Sequence, residues 1–281
     1  MHSIVLLGIF GLAWCLRYAW AEMANTTWLE RWHRTLTLFL LPPLLLCTSA
    51  IAIIWMGPHG RMVWVGNDWL SYDLAVSFLG FATFYWLKLA GSGWLMLRQV
   101  RTCPIVQVSS NKVRILDLPI PYSAQIGFWE PELVIAQGLL DTLPPEHLEA
   151  VLAHEQAHYQ YRDTWCFFWL GWVRQITKWL PQTEFMWQEL LLLRELRADR
   201  WASTQTDPLL VAEALLSIVQ QTPVFPEHLS AAFSQMTATN RLDCRIDALF
   251  NATEPIEHSS ILAWAWLLLA LLPLFAIPFH I

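Results

Sequence analysis

Polar positions are sparse at both ends of the chain and dense in the middle. The run Ile4 to Ala21 carries one charge, Arg17, and Leu36 to Met56 carries none. Leu74 to Leu97 is interrupted only by Lys88, and Ser260 to His280 is uncharged apart from its last histidine. Crossing the hydrocarbon takes about 20 mostly apolar residues, so each run is long enough to predict a membrane helix. Pro42 and Pro43 kink the second, which lipid-spanning helices tolerate. Arg17 lies near one end of the first run, within reach of the interface. A cleaved leader would carry its positive charge ahead of the apolar run, and Arg17 follows it, so a retained anchor is expected.

From Cys103-Pro104 onward the pattern shortens. Ile105 to Ser109 and Val113 to Leu118 alternate in polarity and are rich in β-branched residues, with Asn111 as the turn signal. Ser123 to Phe128 and Leu133 to Ala136 predict two more strands, separated by Glu130-Pro131. Pro144-Pro145 then opens a helix, where proline costs least, and Glu146 and Glu149 suit the positive end of its dipole. The stretch Glu189 to Ala202, free of Gly and Pro, predicts another helix. These patterns divide the chain into a membrane region at 1–97 with spans at 4–21, 36–56 and 74–97, a domain at 98–257, and a last span at 260–280.

Composition agrees with lipid contact. Of 281 residues 56% are hydrophobic and 14% charged, against about a quarter charged in an ordinary soluble domain. The net charge of −6 argues against direct nucleic-acid binding, which needs a basic face. The 18 tryptophans suit membrane–water interfaces. The five cysteines are odd in number and form no CxxC pair, so no disulfide framework follows. Lys and Arg collect after the first run (Arg17, Arg31, Arg34) and after the third (Arg98, Arg101, Lys112, Arg114). By the positive-inside tendency the middle domain faces the cytoplasm of a multi-pass cell-membrane protein. Lys88 is read either as an interface residue or as an intramembrane functional group.

The chemistry concentrates in HEQAH, His154 to His158. Residues four apart on a helix share a face, so both imidazoles can converge on one ion. Glu155 is then placed to act as general base on a zinc-activated water. A third ligand is required; Glu195 can supply it, and Asp199, one turn on, can hold the free nitrogen of a histidine. Two solvated histidines on a surface helix, facing an ordinary charged helix with Arg194, Arg197 and Arg200 as ion-pair partners, is the plain alternative.

The run Glu132 to Asp163, with RELRADRWA at Arg194 to Ala202, resembles the active-site region of gluzincin membrane peptidases. Three apolar runs before that domain and one after look most like the BlaR/MecR-type sensor-transducers. The resemblance implies an α-helical membrane protein with an α+β peptidase domain and about four transmembrane helices. It implies Zn2+ on His154, His158 and Glu195, with Glu155 as acid/base and Asp199 behind the ligands. Asp163 matches a common family aspartate and is assigned, as a guess, to capping the helix end. The implied partners are the bilayer and a protein substrate, a cytoplasmic transcriptional repressor. Those sensors continue into an extracellular penicillin-binding domain, and here none is expected. An HtpX-like quality-control protease, with two spans on either side, and a non-catalytic sensor or scaffold are the alternatives.

Thr164 to Leu180 places Trp165, Phe168, Trp169, Trp172, Ile176 and Trp179 at helical spacing. An interfacial helix, core packing and a fifth span all remain open for it. For the oxyanion stabiliser, His228, Arg241 and Arg245 are candidates by chemistry, and the remaining histidines are read as surface or interface residues.

Overall fold

The computed structural model describes residues 2–18, 27–58, 69–221, 238–251 and 261–280. Three helices come first: α1 (His2–Tyr18), α2 (Trp28–Met56) and α3 (Trp69–Arg101). The strands β1 (Ile105–Val108), β2 (Asn111–Leu116), β3 (Ser123–Ile126) and β4 (Glu132–Ala136) follow. Then come α4 (Gln137–Thr142), α5 (Pro145–Gln160), α6 (Asp163–Ile176), α7 (Thr183–Gln205), α8 (Pro208–Gln221) and α9 (Ala238–Phe250). A helix of 3-10 type, Ile261–His280, ends the described chain.

Among the described residues two helices, α2 and α3, are long and apolar enough to cross a membrane. They contain the expected spans 36–56 and 74–97. The expected span 4–21 overlaps α1, but residues 19–26 lie outside the described part. At 33 residues, α3 runs about 50 Å at 1.5 Å per residue. It leaves Leu70, Leu74, Phe84 and Leu87 more than half exposed, an apolar surface that water would not favour.

The chain forms two compact units. The first comprises residues 1–90, 169–191 and 255–281, the second residues 91–168 and 192–254. Residues 169–191 are thus grouped with the first unit. In that unit α2 packs on α1 and on the terminal 3-10 helix, where the Thr48 hydroxyl donates to the carbonyl of Ala270 at 2.6 Å. A capping box opens α2: Thr27 and Glu30 satisfy each other's backbone amides. Arg17 does not reach outward to an interface. It is fully buried, donates to Phe39 O at 2.9 Å and Thr183 Oγ1 at 3.2 Å, and lies over the Phe39 ring. Protein acceptors and a π face give the guanidinium partners that the interface would otherwise supply.

The second unit is built on a mixed sheet of order β1-β2-β4-β3. β1 and β2 form an antiparallel hairpin, β2 and β4 run parallel, and β3 returns antiparallel to β4 as an edge strand. Alternate side chains of β4 serve two cores. Val134 packs with Val100 and Ile126; Ile135 packs with Val113, Leu139, Val151, Leu152, Val211 and Leu249. Each such side chain, fully buried, contributes about 1.5–3 kcal/mol. Glu132 fastens the end of α3 to the sheet by accepting from Arg101 at 2.7 Å and from Arg114. Gly138 is required where β4 meets α4, because a Cβ there would stand 2.3 Å from the Pro119 carbonyl.

The expected helix at 164–180 is α6, with 14 residues, too short for a span of about 20. Its buried stripe is Phe167, Leu170, Val173 and Ile176, of which Ile176 alone belongs to the set named above. Lys88 sits over the Tyr85 ring, 5.9 Å from its centroid.

Candidate metal centre

The sequence puts Pro145 at the first turn of α5, where a missing N–H costs nothing. Ala150, Ala153 and Ala157 on α5 are buried, as are Ala198 and Ala202 on α7. Ala150 and Ala153 of α5 share one buried core with Ala202 of α7, and polar side chains of the two helices meet at His154, Glu195 and Asp199. His154 and His158 stand one turn apart with their Nε2 atoms 3.1 Å from each other. Glu195 on α7 comes to 3.4 Å of His154 Nε2 and 3.8 Å of His158 Nε2. One atom from each of the three residues lies within 4.8 Å of the others, the spacing of a shared ion.

The outer nitrogens are equally constrained. His154 Nδ1 lies 2.8 Å from Asp199 Oδ1, and His158 Nδ1 lies 2.7 Å from Asp163 Oδ2. A carboxylate can only accept, so each Nδ1 carries a proton, and with a cation bound each Nε2 would turn a lone pair to the common point. Asp163 thus orients His158 and does not cap the end of α5. Behind each carboxylate stands an arginine: Arg245 grips Asp199 through two bonds of 2.6 and 2.7 Å, and Arg197 bonds Asp163 while lying 4.0 Å over the Tyr161 ring. Arg194, stacked on Phe167, donates twice to Glu195 Oε1 at 2.9 and 2.7 Å.

Glu155 is buried at 5% exposure. Its Oε1 accepts from the Ser123 hydroxyl at 2.7 Å, while Oε2 has no partner among the described residues. A buried, unpartnered carboxylate oxygen is costly in a dry protein. Nitrogen, nitrogen and carboxylate donors with fixed tautomers fit a zinc ion and a bound water.

Without a cation the site holds protons instead. Burial opposes charge on His154, but hydrogen bonds to Asp199 and Glu195 outweigh it and raise its pKa to about 10. Burial likewise opposes charge on Glu195 and Asp199. Arg194 and His154 nevertheless hold Glu195 well below the usual carboxylate range, and Arg245 lowers Asp199. Burial, and then the charge of Glu155, push the Tyr122 hydroxyl up.

Every site residue named from the sequence and described here, namely His154, Glu155, His158, Glu195 and Asp199, lies in this one cluster. Of the three oxyanion candidates, Arg245 reaches the cluster but is bound to Asp199. His228 and the Arg241 side chain lie outside the described residues. His147 pairs with Glu213 at 2.9 Å, away from the metal-binding set. Sequence reasoning missed Ser123 and the role of Asp163, and named Arg194 and Arg197 only as ion-pair partners of an ordinary charged helix. Arg197 offered one signal: the i+2 spacing from Glu195 turns it to a different side of the helix.

A stretch of 65 residues is 38% identical to Protease HtpX homolog 2 of Methanosarcina mazei, covering 22% of this chain and 22% of that relative. The match thus spans about a fifth of the relative's length. Residues 112–233, which contain every side chain of the cluster except Arg245, match the model of Peptidase family M48.

Proposed function

We propose that this chain is a membrane-embedded zinc metallopeptidase that hydrolyses peptide bonds in a protein substrate. The observation that carries the reading is the pair of Nε2 atoms 3.1 Å apart, each ring fixed from behind by a buried carboxylate. In this reading His154, His158 and Glu195 hold the metal, Asp199 and Asp163 orient the two rings, and Glu155 is the catalytic acid/base. A bound zinc ion supplies an acidified water and polarises the scissile carbonyl. Glu155 takes the water's proton on its unpartnered oxygen and returns it to the leaving amine. The segment 98–257 is the peptidase domain on the cytoplasmic side, with 1–97 and 260–280 in the membrane. The exposed apolar length of α3 supports that placement.

For the role of this activity, we favour a signalling protease that cleaves a cytoplasmic transcriptional repressor, on the arrangement of apolar runs around the domain. The similarity to Protease HtpX homolog 2 favours a second reading, a membrane quality-control protease. The deciding experiment has two parts. Purified full-length protein is assayed for zinc content and for cleavage of fluorescein-labelled casein, wild type against Glu155→Gln. The variant is expected to keep one zinc and to lose at least ~10²-fold in rate, the lower part of the range for general acid–base catalysis. Equal cleavage by both proteins, or no zinc in either, refutes the peptidase reading. Loss of the gene that stabilises one repressor supports signalling; accumulation of damaged membrane proteins supports quality control.

A further inference from the structure

Ser123 and Gln125 lie two residues apart on β3, so they share one face of the edge strand. Both reach the same residue of α5. The Ser123 hydroxyl donates to Glu155 Oε1 at 2.7 Å, and Gln125 Nε2 donates to the Glu155 backbone carbonyl at 3.1 Å. The strand therefore grips the buried glutamate at its carboxylate and at its main chain. A carboxylate with one oxygen fixed can no longer rotate freely, so the position of the other oxygen is set as well. That second oxygen, Oε2, is buried and without a partner among the described residues. The hydrogen-bonding on the two sides of one carboxylate is unequal, and the unsatisfied side is the one left for a reacting water.

We propose that Ser123 is a positioning residue for hydrolysis: it locks one oxygen of Glu155 so that the other is held ready for the proton of the attacking water. The inference rests on the peptidase reading given above. Ser123 touches neither substrate nor metal ligand in this role, and it acts only through Glu155. Gln125 completes the arrangement by fixing the turn of α5 that carries Glu155 against β3. A merely structural serine would satisfy a buried carboxylate and affect folding, with no separate effect on turnover. A positioning serine affects the chemical step, since a misplacement of about 1 Å can cost on the order of 10²-fold in rate.

The test compares Ser123→Thr with Ser123→Val in the full-length protein. The two side chains have the same shape, suit a strand equally, and differ in the hydroxyl. Zinc content, thermal stability, and kcat and KM on fluorescein-labelled casein are measured for both and for wild type. The threonine variant is expected within about threefold of wild-type kcat, by retention of a charge-assisted donor. The valine variant is expected to bind one zinc with KM nearly unchanged and kcat lowered roughly tenfold or more, as for loss of a group acting in the transition state alone. Equal kcat for the two variants overturns the proposal, as does a valine defect confined to KM or to zinc content. Should the valine variant not fold, Ser123→Ala against Ser123→Thr gives the same comparison with less packing strain. Failure of wild type to exceed Glu155→Gln overturns the peptidase reading itself, a result distinct from wild-type activity that ignores the hydroxyl.

Discussion

Replacing the aspartates behind the histidines gives a direct measure of how this site is held. Asp199 and Asp163 are 2% and 3% exposed, and each accepts from one imidazole and from one arginine. In Asp199→Asn the amide oxygen can still accept from His154 Nδ1, but the two-point grip on Arg245 is lost. The ring is then oriented by a weaker acceptor, and its Nε2 becomes less basic. Outer partners of this kind are worth roughly 10–100-fold in metal affinity, or about 1.4–2.8 kcal/mol. Asp163→Asn is expected to cost the same through His158. The two act on different rings, so the double variant should lose roughly 10²–10⁴-fold if the effects are independent. Stability is a separate matter: Arg245, partly buried, keeps Glu195 at 3.4 Å but loses its two-point carboxylate, a cost below the roughly 3–5 kcal/mol of a buried pair broken outright. Affinity must therefore be read on protein shown to be folded. The assay is zinc competition against a chelator of known affinity, with circular dichroism melts of each variant in the metal-free form. Folded Asp199→Asn that binds zinc as tightly as wild type refutes the reasoning, because the carboxylate would then orient nothing the metal feels.

Two further outcomes follow from charges the fold has arranged. His154, raised to about 10 by Asp199 and Glu195 against the opposing effect of burial, is protonated at neutral pH in the metal-free protein. Its raised pKa stabilises the fold fully below its ordinary value near 6.5, and that contribution fades as pH climbs towards about 10. Zinc must displace the proton, so apparent affinity should rise by up to about tenfold per pH unit between those limits. Titration calorimetry at pH 8 in two buffers of different ionisation enthalpy should register about one proton released per zinc, and none released refutes the assignment. Glu132 has the opposite sign. Burial works to raise its pKa, but Arg101 and Arg114 bring the net value below normal. Its contribution is present above the ordinary carboxylate range and is lost as pH falls through the lowered value. Glu132→Gln should therefore reduce the melting temperature at pH 7 and make little difference at acid pH; an equal loss at both refutes the clamp between α3 and the sheet.

Much of this arrangement is legible in the sequence because it is local. Strand alternation marks all four strands to within three residues at each end, and Pro145 marks the start of α5. The i, i+4 spacing of His154 and His158, and of Glu195 and Asp199, by itself states which residues share a face. Long-range choices are another matter. Nothing in the strand pattern says that β4 pairs parallel with β2 and leaves β3 at the edge, since pairing is decided by the cores on both sides of Val134 and Ile135. For α6 the set Trp165, Phe168, Trp169, Trp172, Ile176 and Trp179 left its environment open, and of these only Ile176 joins Phe167, Leu170 and Val173 in the covered stripe. Large amphipathic rings can remain half exposed at little cost, so their spacing is a poor guide to burial. Arg17 is the same lesson with a charge. Its partners, Phe39 O and Thr183 Oγ1, come from distant segments, and a reading of its own run can offer it only the interface.

The arginines explain why the site itself was only partly visible. Read along α7, Arg194 and Arg197 look like the solvated face of an ordinary charged helix. In three dimensions each belongs to a carboxylate: Arg194 to Glu195, Arg197 to Asp163, and Arg245, from α9, to Asp199 and to Glu195 at 3.4 Å. Glu155, Asp163, Glu195 and Asp199 bring four negative charges, and these guanidiniums bring three positive ones. The difference is met by the proton that His154 retains when no cation is bound. A dication that displaces this proton leaves the cluster one charge positive overall. Excess positive charge at the metal favours a water that loses its proton readily and an oxygen that gains negative charge in the transition state. The same charges that obscure the site in the sequence would thus set both how a metal is held there and which chemistry it assists.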